Sequence, residues 1–162
     1  MNNTILILGS NIEPKKKYID DALAMIRLII GKITQTSSLW ETEPWGFNSQ
    51  NMFINMSCIV KTKLTPSELI NNIIKIEQKL GRYRKTTETY NDRNIDIDII
   101  FYNNEIIKQP GIIIPHPHFH NRRFMLEPLN EIIPTYINPI TKTSISEILT
   151  KCPDKSYVKK LS

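Results

Sequence analysis

The chain has 162 residues, of which 40% are hydrophobic and 23% charged, and its formal net charge is +5. This size and composition are those of one globular domain, so we predict a single domain over residues 1–162. The apolar runs are too short to cross a bilayer, no basic signal-peptide region precedes the first of them, and the two cysteines lack metal-ligand or disulfide spacing, which favours a cytoplasmic protein without membrane association.

The first half of the chain predicts one helix among three strands. In chain order these elements are a strand over 4–9, a helix over 15–30, and strands over 32–40 and 53–62. The helix is indicated by apolar residues at helical spacing, and Gly31 ends it. In the third strand Phe53 and Asn55 share one face, because alternate side chains of an extended chain point the same way.

The second half repeats the helix–strand alternation. The capping box Thr65-Pro66-Ser67-Glu68 begins a helix that ends at Gly81. The remaining predicted elements are a strand over 95–102, a short strand at 105–108, a helical turn after Asn121 and a last helix over 146–151. The core order β-α-β-β-α-β predicts an α+β, ferredoxin-like fold, in which helices pack on one face of an antiparallel sheet.

Two long segments, 41–52 and 82–94, fit no regular element. Connections of this length in a small domain are typical of active-site loops. The second segment leads into DRNIDIDIIF, a strand rich in isoleucine that nevertheless carries Asp96 and Asp98 on one face. Two neighbouring carboxylates repel each other unless cations neutralise them.

A carboxylate pair of this kind suits Mg²⁺, which binds through one or two carboxylates together with substrate phosphates. The alternative is that Asp96 and Asp98 simply lie on a solvated strand face. Arginines in the preceding segment favour the first interpretation, because a guanidinium matches the geometry of phosphate oxygens. Whereas the 15 lysines are scattered, five of the six arginines lie in two places: Arg82, Arg84 and Arg93, and Arg122 and Arg123.

Histidines and aromatic residues add two further hypotheses. His116, His118 and His120 alternate in PHPHFH. A transition-metal site is one interpretation, but the intervening prolines disfavour a regular strand and favour a phosphate or ribose contact by one of the histidines. The aromatic residues near the first loop and after Arg123 are most simply core residues, but an amide beside aromatic rings also suits a flat heterocycle.

Five motifs together resemble the 6-hydroxymethyl-7,8-dihydropterin pyrophosphokinases of folate biosynthesis. The motifs are LGSN (8–11), ETEPWG followed by FIN, IEQKLGRYR, DRNIDIDII and PHPHFHNRRFMLEPL. This family transfers a diphosphate from ATP to the hydroxymethyl group of a dihydropterin and releases AMP. The resemblance therefore implies a monomeric enzyme whose partners are ATP and the pterin, with two Mg²⁺ ions and neither nucleic acid nor membrane as partner.

The resemblance also assigns roles to individual residues. Asp96 and Asp98 are expected to hold the two Mg²⁺ ions, and Arg82 and Arg93 to stabilise the migrating charge. The expected ATP-binding residues are Glu77, Arg84, Asp98, Ile99, His116 and Arg122. The expected pterin-binding residues are Thr42, Glu43, Trp45, Phe53, Asn55 and Phe124.

The sequence departs from the family pattern near the catalytic arginine. The family usually has a tryptophan, a small residue and a proline there, whereas this chain has Tyr90-Asn91-Asp92 before Arg93. We expect Asp92 to offset part of the charge of Arg93. Glu43 also replaces a residue that is commonly apolar or small.

Two other functions are compatible with parts of the pattern. A basic ferredoxin-like sheet resembles RNA-recognition modules, but the aromatic strand motif of those modules is absent and the Asp pair would repel a phosphate backbone. The second alternative is a relative that binds the pterin without performing chemistry. Release of AMP on addition of the pterin distinguishes this alternative from the enzyme.

Overall fold

The sheet and its helices account for most of the chain. The computed structural model describes residues 1–81 and 92–161. In chain order the elements are β1 (Asn2–Ser10), α1 (Lys15–Ile29), β2 (Gly31–Thr36), β3 (Trp40–Thr42), β4 (Phe53–Thr62), α2 (Pro66–Lys79), β5 (Asp96–Tyr102), β6 (Ile107–Gln109), β7 (Ile112–Ile114), a 3-10 turn (Phe119–Asn121), α3 (Arg123–Ile132), α4 (Ile145–Thr150) and β8 (Val158–Lys160).

The main sheet is antiparallel and has the order β5-β1-β4-β3-β8, with β2 also pairing with β4. The central pair is β1 and β4, which align from Asn2 opposite Thr62 to Ser10 opposite Ile54. The predicted ferredoxin-like α+β fold is confirmed. Within the described ranges, no helix has the length and apolar character that crossing a lipid bilayer requires.

Two hydrophobic clusters cover opposite faces of the sheet. Leu6 and Leu8 of β1 pack with the buried faces of α1 and α2. Ile5 and Ile7, which point the other way, pack with α3 and α4. The sequence predicts helices on one face of the sheet, and α1 and α2 lie there. Helices α3 and α4 form a layer on the second face that the sequence does not predict.

The prediction of one continuous strand over 32–40 is wrong, because the structure divides this stretch into the two strands β2 and β3. The pairing of β2 with β4 shifts register between Ile33 and Gln35, and the chain leaves the ladder at Ser37. There the Ser37 amide donates to the Ser57 carbonyl at 2.9 Å, and the Ser37 hydroxyl accepts from the Ser57 amide at 2.9 Å. Pairing resumes as the separate strand β3, where Trp40 lies opposite Asn55.

The capping box of α2 forms as the sequence predicts. The Thr65 hydroxyl accepts from the Glu68 amide at 3.3 Å, and the Glu68 carboxylate accepts from the Thr65 amide at 2.8 Å. The helix then buries Leu69, Ile73 and Ile76 against the sheet. The buried Glu77 lies on the same face, near the end of the helix.

We expect Thr65→Ala to lower the free energy of unfolding by about 1 kcal/mol, because the substitution removes one half of the cap. Urea denaturation measures the change. Ser67→Ala, at an exposed position of the same helix, is the matched control and should change stability by less than about 0.5 kcal/mol. Equal effects of the two substitutions would contradict a contribution from the cap.

Candidate active site

A cleft of about 200 Å³ lies on the sheet face that α3 covers, beyond the start of that helix. It brings together most of the residues that the sequence singles out. The predicted site residues that line it are Thr42, Glu43, Trp45, Phe53, Asn55, Arg93, Asp96, Asp98, His116, Arg122 and Phe124. Gly9, Phe47 and Met125 also line the cleft. The sequence predicts no site role for Gly9 or Met125.

The floor of the cleft is formed by paired strands. Gly9 of β1 lies opposite Asp96 of β5 on one side and opposite Asn55 of β4 on the other. A side chain at this glycine would overlap the side-chain amide oxygen of Asn55. The absence of a side chain at Gly9 therefore leaves open the space between the carboxylates and the amide.

The Asp pair lies in the cleft and not on a solvated sheet face. Asp96 and Asp98 alternate with Ile95, just before β5, and with Ile97 and Ile99 in it, all three of which are buried in the core on the opposite side. The Asp96 side chain is 19% exposed, and its Oδ2 lies 3.0 Å from a guanidinium nitrogen of Arg93. This arginine thus neutralises part of the carboxylate charge.

Arg93 also lies against the aromatic end of the cleft. Its guanidinium carbon is 5.5 Å from the centre of the Phe53 ring, and its side chain is 11% exposed. A guanidinium over an aromatic face is favourable. Arg93 therefore spans the boundary between the carboxylates and the aromatic residues.

Asp92, expected to offset Arg93, has other principal partners. Its two carboxylate oxygens accept from the side-chain amides of Asn11 and Asn51, both at 2.8 Å. A hydrogen bond from Ser49, followed by those from the two asparagines, lowers the pKa of Asp92, and the charge of Arg93 is the smallest contribution.

Arg122 and His116 form one wall of the cleft. Arg122 is 6% exposed, and its guanidinium carbon lies 4.1 Å from the centre of the Trp45 ring. The His116 Nδ1 accepts from the His118 amide at 3.1 Å, which leaves the ring proton on Nε2. Burial, followed by the charge of Arg122, lowers the pKa of His116 to about 4, so the ring is neutral at pH 7.

Aromatic rings and one amide form the other end. Phe53 comes from β4 and Phe124 from α3, and Phe47 meets Phe53 edge-on at 6.3 Å between ring centres. The amide of Asn55, which is 3% exposed, donates to the Thr42 hydroxyl at 2.6 Å. This bond sets which way the amide of Asn55 faces.

The remaining predicted residues lie elsewhere. Glu77 is completely buried in α2, and its carboxylate accepts from the Ile97 amide at 3.0 Å. Ile99 belongs to the core between the sheet and α1 and α2, on the face of β5 away from the cleft. Arg82 and Arg84 lie outside the described residues, so their roles stay predictions.

The metal-binding interpretation of the histidines gains no support. His118 and His120 are exposed. Across residues 1–81 and 92–161, no group of three or more His, Cys, Asp or Glu side chains is arranged to hold a metal ion. The carboxylate pair therefore differs from a complete protein cage, and suits an ion that takes its other ligands from a substrate.

Sequence reasoning missed the C-terminal segment 152–161, which holds two walls of the cleft. Strand β8 pairs with β3, and beyond this ladder Glu43 and Tyr157 bond twice: the Glu43 amide donates to the Tyr157 carbonyl at 3.2 Å, and the Tyr157 amide donates to the Glu43 carboxylate at 2.8 Å. Asp154 accepts from the Arg123 amide at the start of α3, at 2.9 Å. No local motif in this segment signals such partners.

The half-buried imidazole of His116, with its lowered pKa, predicts a specific dependence of stability on pH. In the unfolded chain His116 regains a pKa of about 6.5, so as the pH falls the unfolded state takes up the proton first. The free energy of unfolding therefore falls between pH 6.5 and about 4. His116→Gln should make this fall shallower in urea denaturation, whereas His120→Gln, at an exposed position, should not. Parallel curves for wild type and His116→Gln would contradict the assignment.

The cleft has carboxylates and guanidinium groups at one end and aromatic rings at the other. Comparison with known proteins places the chain in the class of ATP-dependent diphosphotransferases. The family model described as 7,8-dihydro-6-hydroxymethylpterin-pyrophosphokinase (HPPK) matches residues 5–134. The chain belongs to this family, and it is a pyrophosphokinase of folate synthesis.

Individual relatives agree with the family model. The 2-amino-4-hydroxy-6-hydroxymethyldihydropteridine pyrophosphokinase of Bacillus subtilis is 40% identical over 134 residues, which are 82% of this chain and 79% of that protein. The corresponding protein of Aquifex aeolicus is 36% identical and covers 91% of this chain and 90% of its own length.

Longer relatives contain a similar segment. The folic acid synthesis protein fol1 of Pneumocystis carinii is 37% identical over 91% of this chain, which spans only 20% of that protein. The crystal structure of wild-type HPPK-DHPS from Plasmodium falciparum superposes with a TM-score of 0.75 at 20% identity, over 93% of this chain and 41% of that one. This likeness shows the fold.

Proposed function

We propose that this chain transfers a diphosphate from ATP to the hydroxymethyl group of 6-hydroxymethyl-7,8-dihydropterin and releases AMP, with the described cleft as its active site. One observation carries the proposal: a single cleft holds the Asp96–Asp98 pair beside Arg93 at one end, and Phe53 with Asn55 at the other. A triphosphate and a flat ring can therefore meet within it.

Asp96 and Asp98 are the residues that would hold Mg²⁺, two ions on the family pattern. Their chemistry fits: two hard oxygen donors share one face and leave coordination positions for phosphate oxygens and water. When bound, Mg²⁺ supplies positive charge that neutralises the triphosphate and polarises the phosphorus under attack. Arg93, together with the predicted Arg82, adds guanidinium charge for the migrating diphosphate.

The nucleotide is proposed to lie across the edge strand of the sheet. Asp96 and Asp98 face the cleft, whereas Glu77 and Ile99 lie on the other side of β5. Because β5 is the last strand of the main sheet on that side, a ligand can extend around it. The triphosphate would then contact Arg122 and His116, and the nucleoside would extend toward Glu77, Ile99 and the predicted Arg84.

The pterin is proposed to occupy the aromatic end. Phe53 and Phe124 would contact its faces, and Asn55 would hydrogen-bond to its polar edge. Thr42 orients that amide through the 2.6 Å hydrogen bond. Trp45 and Glu43 complete the wall, and Tyr157 holds the position of Glu43.

The reaction forms a bond between the hydroxymethyl oxygen and the β-phosphorus, and it breaks the bond from that phosphorus to the oxygen retained by AMP. The hydroxyl proton is released. Catalysis rests on positioning the two substrates and on stabilising charge as it moves to the leaving phosphate. The neutral His116 contributes as a hydrogen-bond donor from Nε2, because its low pKa keeps it unprotonated at pH 7.

We also propose that residues 1–162 act as one monomeric domain, in the cytoplasm and without nucleic acid or membrane as a partner. Strands β1–β5 and β8 share one sheet, and the two core clusters cover its two faces. Cys58 and Cys152 are both free and buried, which suits a reducing compartment.

We expect Asp98→Asn to lower turnover by at least about a hundredfold, because an amide is a poor Mg²⁺ ligand and the lost stabilisation amounts to several kcal/mol. The measurement is AMP release from ATP and Mg²⁺, with and without the pterin. Asp20→Asn, in an exposed pair with Lys16 on α1, is the control and should retain wild-type turnover.

The same assay tests the proposed function itself. Wild-type protein should release AMP only when both Mg²⁺ and the pterin are present. Pterin binding without AMP release would identify a binding protein in place of an enzyme. Near-normal turnover of Asp98→Asn would refute the assignment of the carboxylate pair.

We expect Asn55→Ala to weaken pterin binding by about tenfold or more while the affinity for an ATP analogue stays within about twofold. The reason is that the substitution leaves a buried polar edge of the pterin without its partner. Calorimetric titration with each ligand measures both effects. Asn72→Ala, which removes an exposed amide on α2, is the control. A loss of ATP affinity in Asn55→Ala would contradict the proposed position of the pterin.

A further inference from the structure

A hydrogen-bonded junction connects three separate parts of the chain beside the cleft. It consists of Asn11, which follows β1, Ser49 and Asn51 in the segment before β4, and Asp92 with the backbone of Arg93. Asn11 is 1% exposed and lies at the centre of this Asp92 junction. The junction involves none of the groups that the proposed mechanism uses directly, apart from the backbone of Arg93.

Asn11 holds the backbone of the catalytic arginine from both sides. The backbone amide of Arg93 donates to the side-chain oxygen of Asn11 at 2.7 Å. The backbone amide of Asn11 donates to the backbone carbonyl of Arg93 at 3.2 Å. With its backbone held in this way, the Arg93 side chain reaches Asp96 at 3.0 Å. A small rotation of this backbone would move the guanidinium by a larger distance.

Asp92 connects this backbone to the segment before β4. One carboxylate oxygen of Asp92 accepts from the side-chain amide of Asn11, and the other accepts from the side-chain amide of Asn51, each at 2.8 Å. The side-chain amide of Asn11 also donates to the backbone carbonyl of Asn51 at 3.2 Å. Asn51 precedes Phe53 by two residues, so the same segment leads into the aromatic end of the cleft.

We propose that Asp92 is a positioning residue that couples the segment 43–52 on the pterin side to the placement of Arg93 on the phosphate side. This inference rests on the proposed function for its kinetic consequences, but the junction itself is a property of the free protein. Through it, order in the pterin-side segment also orders the arginine that contacts the migrating diphosphate.

The geometry requires a carboxylate at this position. Each oxygen of Asp92 accepts from a different amide nitrogen, so both of its oxygens must be acceptors. An asparagine would present an NH₂ group to one of these donors, and that bond would be lost. The hydrogen bonds from Ser49 and from the two asparagines lower the pKa of Asp92, because they stabilise its carboxylate form.

The kinetic test compares Asp92→Ala and Asp92→Asn with wild type. We expect Asp92→Ala to lower kcat by roughly tenfold and to weaken pterin binding by roughly fivefold, on the order of one lost hydrogen-bonded link. Affinity for an ATP analogue should stay within twofold, and the melting temperature should confirm that each variant folds. Asp92→Asn should lie between Asp92→Ala and wild type, and Asp20→Ala is the surface control.

Two double variants separate positioning from a general structural effect. If Asp92 acts through Arg93, Asp92→Ala should lower kcat by less than twofold in an Arg93→Ala background. If it acts through Asn51, the variant Asp92→Ala/Asn51→Ala should bind the pterin no more weakly than Asp92→Ala alone. A full tenfold loss of kcat in the Arg93→Ala background, or additive losses with Asn51→Ala, would overturn the proposal, as would wild-type kinetics of Asp92→Ala.

Hydrogen exchange tests the junction independently of catalysis. The peptide covering 43–52 should exchange faster in Asp92→Ala than in wild type, whereas a peptide from α1 should be unchanged. Unaltered exchange in 43–52 would overturn the coupling even if the enzyme is active. If wild-type protein released no pterin-dependent AMP, the proposed function would fail, and the exchange result would still decide whether Asp92 joins the two segments.

Discussion

The repulsion between Asp96 and Asp98 is the constraint on which the site depends. The buried Ile97 and Ile99 on the opposite face of β5 keep both carboxylates on the cleft face, because a shift by one residue would reverse every side chain of the strand. In the free protein the pair is partly neutralised by Arg93. Under the proposed function, divalent cations and the phosphates they carry would complete the neutralisation, and substrate binding would then relieve this repulsion.

The two ends of the cleft are connected by features outside the catalytic groups. Gly9 lies between Asp96 and Asn55 in neighbouring strands, and its missing side chain leaves the space between them open. The Asp92 junction ties the segment before β4 to Arg93, and the C-terminal segment holds Glu43 and the start of α3. The cleft is therefore assembled from distant parts of the chain.

Local patterns predicted much of this arrangement. The capping box at Thr65 and the alternation of Asp96 and Asp98 depend on residues a few positions apart, so their geometry follows directly from the sequence. The split of the strand predicted over 32–40, the addition of β8 to β3 and the bond between Asp92 and Asn51 depend on partners far away in sequence. Periodicity contains no information about such partners. From its charge and position alone, Asp92 is expected only to offset Arg93, and its bonds to Asn11 and Asn51 depend on the fold.

The most direct measurement is a crystal structure of the protein with Mg²⁺, a non-hydrolysable ATP analogue and the pterin. Carboxylate oxygens of both Asp96 and Asp98 should coordinate metal ions that also contact the triphosphate, and the pterin should lie between Phe53 and Phe124. Carboxylates without any ion, or a nucleotide bound away from β5, would contradict this arrangement.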